Sequence, residues 1–221
     1  MNRPQHQMDL MVLTADRQAE HLMRALLPRS QSLGIRPVQA SFAAHPDRDA
    51  GCLLHAHEFL LPFSAMYSHA IVMLDREGCG RESRDRLALE AGIEKLLRSS
   101  GWGDRAAAIV LDPELEIWIW TPSRQVDEAV GWAGRQPDLR TWLRQQGLLK
   151  EGATKPSRPK EALEAALMHV GKVRMGPLYG QVAYRTSTAG CVDASFAKLK
   201  ELLQKWFPPA TSQGDQRPTG P

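Results

Sequence analysis

The sequence predicts an α/β protein with a mainly parallel central sheet flanked by helices. Three observations support this fold class. Continuous apolar runs alternate with segments of helical periodicity through the first half of the chain. The runs 70–74 and 106–111 contain no polar residue, as is typical of strands buried on both faces of a parallel sheet. The length of 221 residues, 43% of them hydrophobic, suffices for one such domain with an extension.

The first half of the chain is predicted to fold in the order β-α-β-α-β-α-β, with right-handed crossovers in a doubly wound sheet. Pro37 indicates that the segment 35–42 is an edge strand or the start of a strand. In the third helix, Leu87, Leu89, Ile93, Leu96 and Leu97 are predicted to form the buried face. The predicted strands are 8–13, 35–42, 67–74 and 106–111, and the predicted helices are 17–28, 52–63 and 82–100.

The second half of the chain is predicted to be mainly helical. Segment 114–120 fits either a helix or a strand, and 151–159 is a loop rich in Gly, Pro and Lys. The predicted helices are 126–133, 139–146, 160–170 and 195–207. We therefore predict a flexible N-terminus (1–7), an α/β core (8–122), a helical C-terminal part packed on the core (123–207) and a disordered tail (208–221).

Composition and cysteine usage predict a cytoplasmic protein. The net charge of +3 is weak evidence for nucleic-acid binding. The three cysteines, Cys52, Cys79 and Cys191, are odd in number and form no CxxC pair, which argues for a reducing compartment and against structural zinc. The N-terminus has too short an apolar core for a signal peptide, and no apolar run has the 18 residues of a membrane span.

An acidic pair follows the most apolar predicted strand. Residues two apart in an extended chain point the same way, so Asp75 and Glu77 are expected to converge at the carboxyl end of the strand 67–74. Open α/β sheets bind ligands at that end. Two carboxylates at one spot repel each other unless a cation joins them. The pair therefore predicts a divalent-metal site.

Two further acidic pairs follow other strands. Glu114 and Glu116 come after the strand 106–111, and Asp16 and Glu20 come after the strand 8–13. For Asp16 and Glu20 the alternative is a helix cap and a solvated helix residue. Mg²⁺ or Mn²⁺ prefers such oxygen ligands and keeps waters for a substrate, which suits phosphodiester hydrolysis.

Other residue types point less clearly to function. Lys160 and Lys172 are candidates for binding phosphate, with a solvated lysine as the alternative. The tryptophans of the second half could stack on bases, but their placement among aliphatic residues favours core packing. The chain has neither the phosphate-loop motif of an ATPase nor a zinc-binding histidine spacing.

Short motifs resemble a known family. The segments VLTADRQAE (12–20) and MLDREG (73–78) resemble the Toprim domain of topoisomerases, primases and OLD-type nucleases, which has an acid after its first strand and an acidic motif after a later one. The block PELEIW (113–118) is similar to that of small Toprim-like proteins of the DUF4276 type, as are PSRPKEALEA and CVDASFAKLKELLQKW farther on. Members of that group occur in bacterial antiphage defence systems, including methylation-associated ones.

The resemblance implies specific roles for the acids. It implies a Toprim-like, Rossmann-like fold. It also implies a metal-dependent nuclease whose expected substrate is DNA and which works with other defence proteins. By matching position, Asp16, Glu20 and Asp75 would be catalytic, and Asp75, Glu77, Glu114 and Glu116 would bind the metal. The chain departs from the family at two positions, with Asp16 in place of the usual glutamate and Arg17 in place of glycine. The alternative is thus a catalytically degenerate subunit that binds DNA or protein within a defence complex.

Overall fold

The computed structural model describes residues 7–121, 123–185 and 193–209, and its centre is a four-stranded sheet. All strand pairs are parallel, and helices cover both faces, which confirms the predicted α/β class. The strands are β1 (Met8–Thr14), β2 (Ala40–Ala44), β3 (Tyr67–Asp75) and β4 (Ala106–Leu111), and they lie in the order β2-β1-β3-β4. Residues 1–6, most of the tail 208–221 and Cys191 are outside the described residues, and none of the described helices is long and apolar enough to cross a membrane.

The strand order creates a crevice between β1 and β3. Leu13 of β1 is opposite Ala43 of β2 on one side and Val72 of β3 on the other. The chain leaves β1 toward β2, then crosses back over β1 to form β3. The connections that follow β1 and β3 therefore run in opposite directions, and such a switch point is where open α/β sheets bind ligands.

Nine α-helices are present in the described part of the chain. Most of the predicted helices are confirmed, with shifts of a few residues at their ends. They are α1 (Arg17–Leu26), α2 (Ser30–Leu33), α3 (Arg48–Leu60), α4 (Arg86–Leu97), α5 (Arg124–Val130), α6 (Leu139–Gln145), α7 (Pro159–His169), α8 (Gly176–Arg185) and α9 (Ala194–Trp206).

Helix α8 was not predicted, because its segment GPLYGQVAYR carries a proline and two glycines. Packing against α1 accounts for it. A Cβ added at Gly180 would come within 3.6 Å of the carbonyl oxygen of His21 and 3.8 Å of the Ala25 side chain. These are ordinary van der Waals distances, so Gly180 lies in contact with α1, and tertiary contact outweighs the low helix propensity of the segment.

Two local predictions are wrong. The second strand begins at Ala40 instead of residue 35, because the segment before it is tied to Asp9, which accepts from the Gln39 N–H and pairs with Arg36. In α4 the buried stripe is the narrow line of Leu89, Ile93 and Leu97, one residue every four. Leu87 and Leu96, which were predicted to share that face, are 63% and 39% exposed.

Each face of the sheet has its own apolar core. Alternate β1 residues face opposite ways, so Leu10 and Val12 pack in one core while Met11 and Leu13 pack in the other. The second core is covered by α3 and α4. The first core contains α1 and residues on both sides of the predicted boundary at 122, including buried Trp118, Trp120 and Trp132. Core packing of these three tryptophans is thus confirmed.

Candidate metal and substrate site

A cavity of about 460 Å³ opens at the carboxyl ends of β1 and β3. Its walls are mostly charged, with acidic groups at the sheet and basic groups from the loops and the C-terminal part. The lining residues are Asp16, Arg48, Asp49, Asp75, Glu77, Gly78, Glu114, Leu115, Glu116, Arg158, Lys160, Glu161, Glu164 and Arg174. This is the crevice that the strand order creates.

Three carboxylates meet within this cavity. Asp75, Glu114 and Glu116 each present one oxygen, and the three oxygens lie within 4.8 Å of one another. Asp75 is the last residue of β3, while the two glutamates belong to the segment that leaves β4 and enters a 3-10 turn at Leu115–Trp118. Both glutamates are buried. The spacing is close enough for all three to bind one cation.

Backbone and side-chain hydrogen bonds hold each carboxylate in place. Oδ1 of Asp75 accepts from the N–H of Leu115 at 2.9 Å. Oε1 of Glu114 accepts at 2.9 Å from the N–H of Lys160, at the beginning of α7. Each acid thus keeps a second oxygen for a ligand.

Glu116 is held by the C-terminal part of the chain. Its Oε1 accepts from Nη1 of Arg174 at 2.7 Å and from the hydroxyl of Tyr179 in α8. Nε of Arg174 also lies 3.2 Å from Oε1 of Glu164 in α7. This donor pair orients Glu116 and partly balances its charge, an arrangement common behind metal-binding carboxylates.

A fourth acid, Asp49, supports Asp75 from the start of α3. Its Oδ1 accepts from the backbone N–H of Asp75 at 2.8 Å. Burial raises the pKa of Asp49, and the charge of Asp16 raises it further. Asp49 therefore adds a further acidic group to the cavity while it anchors the end of β3.

The electrostatics of the cavity favour a cation. Burial raises the pKa of Asp75 well above its ordinary value, and the negative charges of Asp49, Glu116, Asp16 and Glu114 raise it further. Burial likewise raises the pKa of Glu114. A divalent cation would remove this repulsion, and carboxylate oxygens are the ligands that Mg²⁺ and Mn²⁺ prefer. The residues present therefore fit such an ion.

Of the predicted metal ligands, Glu77 lies outside the close group. The strand ends at Asp75, so the argument that residues 75 and 77 share one strand face is wrong. The N–H of Glu77 donates to the carbonyl of Pro113, and its exposed side chain lines the cavity from a turn. Arg76 pairs with Asp112 at 2.8 Å, which is a structural role.

Asp16 lines the cavity and also caps α1. Its Oδ1 accepts from the N–H of Ala19 at 2.9 Å, as the capping alternative predicted. Glu20, in contrast, is absent from the cavity lining and pairs with Arg24 at 2.7 Å. Only the first member of that acidic pair therefore reaches the site.

Only one of the two candidate phosphate-binding lysines lines the cavity. Lys160 lines the cavity, and within the described part of the chain its ammonium group forms no ion pair. Lys172 lies against Gly131 instead, where an added Cβ would come within 2.7 Å of its Nζ, and it does not line the cavity. Of the two, only Lys160 is placed to meet a substrate phosphate at this site.

Sequence reasoning missed Asp49, Arg174 and Tyr179. Asp49 lies in the polar segment HPDRD after β2, and its position after a strand was a usable signal. Nothing local marked Arg174 or Tyr179, because they are 58 and 63 residues from Glu116. Comparisons of the chain with family models, curated proteins and solved structures found no match.

Proposed function

We propose that this protein is a Mg²⁺- or Mn²⁺-dependent phosphodiesterase that cleaves nucleic acid at the crevice between β1 and β3. The observation that carries the proposal is the meeting of Asp75, Glu114 and Glu116 within 4.8 Å. Cationic side chains line the same cavity. Carboxylates that hold a cation beside basic groups that bind an anion suit a phosphate ester.

Each of these residues has a distinct role in the proposed reaction. Asp75, Glu114 and Glu116 would hold the metal, which when bound activates water and stabilises charge on the leaving oxygen. Asp49 fixes the backbone of Asp75, and Arg174 with Tyr179 fixes the carboxylate of Glu116. Lys160 binds a non-bridging phosphate oxygen as a mobile point charge.

The wider setting of the proposal rests on the resemblance to Toprim-like proteins. On that basis the substrate is DNA, and the protein works in a prokaryotic antiviral defence system with other proteins. Asp16 would be the remaining acid that handles a proton, through the oxygen that does not cap α1.

One observation favours a second candidate function. Asp16 is shorter than the glutamate expected at its position, and one of its oxygens is committed to the Ala19 N–H. A carboxylate that is retracted and bonded is poorly suited to proton transfer. The second candidate is therefore a catalytically degenerate subunit that retains the metal and binds DNA or protein.

Calorimetric titration with Mn²⁺ and Mg²⁺, followed by a plasmid cleavage assay, tests the proposal. The wild-type protein should bind metal and cut DNA only in its presence, and Asp75→Asn should lose both properties. Asp104→Asn is the matched control, because it removes an acid that is 88% exposed and pairs only with Arg98 in the described part of the chain. Metal binding without cleavage would support the degenerate subunit, and no binding at millimolar metal would overturn the site.

A further inference from the structure

A second cavity, of about 440 Å³, lies beside the acidic one at the ends of β1 and β2. It shares Asp16 and Arg48 with the acidic cavity, so these two residues lie between neighbouring cavities. Its lining residues are Ala15, Asp16, Arg17, Gln18, His21, Ala44, Arg48 and Gly176. Each cavity has the volume of a small-ligand site.

The charge of the second cavity is opposite to that of the first. Its cations are Arg17 and Arg48, and within the described residues neither guanidinium forms an ion pair or a side-chain hydrogen bond. Asp16, its one acid, accepts a hydrogen bond from the Ala19 N–H. Two unpaired guanidinium groups beside a cavity are free to bind an anion, and their planar donor fork suits phosphate.

The wall of the second cavity is built by close helix packing. The ring of His21 lies against Gly176 at the beginning of α8, where an added Cβ would come within 2.4 Å of the His21 Cδ2. The first turn of α1 and the start of α8 therefore form one side of an open cavity beside Arg17.

The backbone at Arg48 supports a role in binding. Its φ of 53° is in the left-handed region, which costs a non-glycine residue free energy. The Arg48 N–H donates to the carbonyl of His45, and the next residue, Asp49, accepts from the N–H of Asp75. This turn lets Asp49 reach the acidic cavity while Arg48 lines both cavities, and such strain is characteristic of functional sites.

We propose that the second cavity binds the phosphate next to the scissile one, so that the substrate is a nucleic-acid strand with consecutive phosphates and not a mononucleotide. The inference rests on the proposed function, in which the acidic cavity takes the scissile phosphate. Arg48 lies between the two phosphates, and Arg17 binds the outer one. Among the described residues no Trp, Tyr or Phe lines either cavity, so backbone charge carries the binding.

Salt-dependent binding of a labelled single-stranded oligothymidylate tests the inference. Fluorescence anisotropy is measured on the full chain carrying Asp75→Asn with EDTA present, so that no metal-dependent cleavage interferes. Adding Arg17→Gln or Arg48→Gly should weaken binding by about 3- to 10-fold at ~0.1 M salt. Each change should also make the slope of log K against log salt less negative by about 0.7. Arg84→Gln removes an exposed charge from the groove between α3 and α4 and should change neither quantity.

A control for folding is built into the Arg48 variant. Glycine adopts positive φ without a steric penalty, so Arg48→Gly should unfold at the same or a higher temperature than its parent while it binds DNA more weakly. Competition adds a second readout. The dinucleotide pTpT should displace the labelled strand better than thymidine monophosphate does, and Arg48→Gly should remove that advantage.

The outcomes separate this inference from the proposed function. Equal affinities and salt slopes for the Arg17, Arg48 and Arg84 variants would overturn the second phosphate site, as would equal competition by pTpT and the mononucleotide. Mn²⁺ binding and DNA cleavage by the wild-type protein would be unaffected by that result. Conversely, loss of affinity in the arginine variants supports the second site even when Mn²⁺ does not bind.

Discussion

Nη1 of Arg174 lies 2.7 Å from Oε1 of Glu116, which joins the C-terminal part of the chain to the acidic cavity. Glu116 is only 2% exposed at its side chain. The Tyr179 hydroxyl donates to the same oxygen, and burial together with the charge of Glu116 raises the pKa of Tyr179, so the hydroxyl keeps its proton. A buried carboxylate thus depends on partners that only tertiary folding supplies.

The first prediction concerns loss of that partner. Arg174→Met should lower the free energy of unfolding by about 3 kcal/mol, because it leaves Glu116 buried without its cation. Tyr179→Phe should cost about 1 kcal/mol, the value of one hydrogen bond. Arg158→Gln is the control, since its pair with Glu161 is largely exposed and should contribute below ~1 kcal/mol. Guanidinium unfolding curves give all three values.

The same variant has a metal-dependent signature. A cation bound beside Glu116 replaces the charge of Arg174, so saturating Mn²⁺ should stabilise Arg174→Met more than it stabilises the wild-type protein. The stability gap between the two would then narrow as Mn²⁺ is added. A gap that stays constant over the titration would contradict a cation site that includes Glu116.

The second prediction concerns pH and Asp75. The folded pKa of this carboxyl is raised, so above about pH 4 the folded chain binds more protons than the unfolded chain does. The metal-free protein should therefore lose stability as pH rises from about 4 through the raised pKa. Metal affinity should rise over the same range, because the proton competes with the cation.

The Asp75→Asn variant isolates that titration. Asparagine keeps an acceptor for the Leu115 N–H but carries no charge. At pH 8 the metal-free variant should be more stable than the wild-type protein by about 1 kcal/mol or more, the scale of one pKa unit. Its stability should also vary less with pH in thermal melts. A variant that is less stable than wild type at pH 8 would refute the repulsion among these acids.

The third prediction concerns Glu90, which protects the edge of the sheet. Its side chain, 2% exposed, accepts from the Val110 N–H of β4 and pairs with Arg86 and Lys198. Glu90→Leu should cost about 3–5 kcal/mol in chemical denaturation, because it leaves the Val110 N–H and the Arg86 guanidinium without Glu90, while Lys198 keeps its pair with Glu94. Glu201→Gln, at an exposed position of α9, should change stability by less than ~0.5 kcal/mol.

The fourth prediction concerns acid stability through Asp9. The hydrogen bond from Arg36 lowers the pKa of Asp9 against the opposing effect of burial, and the Gln39 N–H lowers it further. The pair therefore stabilises the fold above about pH 4, and that stability is lost as pH falls through the lowered pKa. Asp9→Asn should cost about 1 kcal/mol at pH 7 and less at pH 2. An equal cost at both pH values would show that charge plays no part.

Local sequence patterns predicted the strands and helices, but not every strand end or every buried residue. The run 106–111 predicted β4 to the residue, because six consecutive apolar residues leave no other boundary. The second strand was placed too early, because Arg36 and Gln39 are bound by Asp9, 27 and 30 residues away. Leu87 fits the helical period of its segment, yet it is exposed because α4 contacts the sheet along a single narrow line.

By itself the sequence determined the α/β class and identified Asp75, Glu114 and Glu116 as candidate metal ligands. Both follow from local features, because the apolar runs and the acids directly after them can be seen in the sequence. Only the tertiary structure decided which acids meet. Glu116 joins Asp75 in the close group, and Glu77 lines the same cavity outside that group, because β3 ends at Asp75 while the chain beyond β4 turns back over the strand ends. Asp49 and Arg174 join them through strand order and helix packing, which bring together residues far apart in the chain. The polar segment after β2 marks Asp49 locally, but no local pattern marks Arg174.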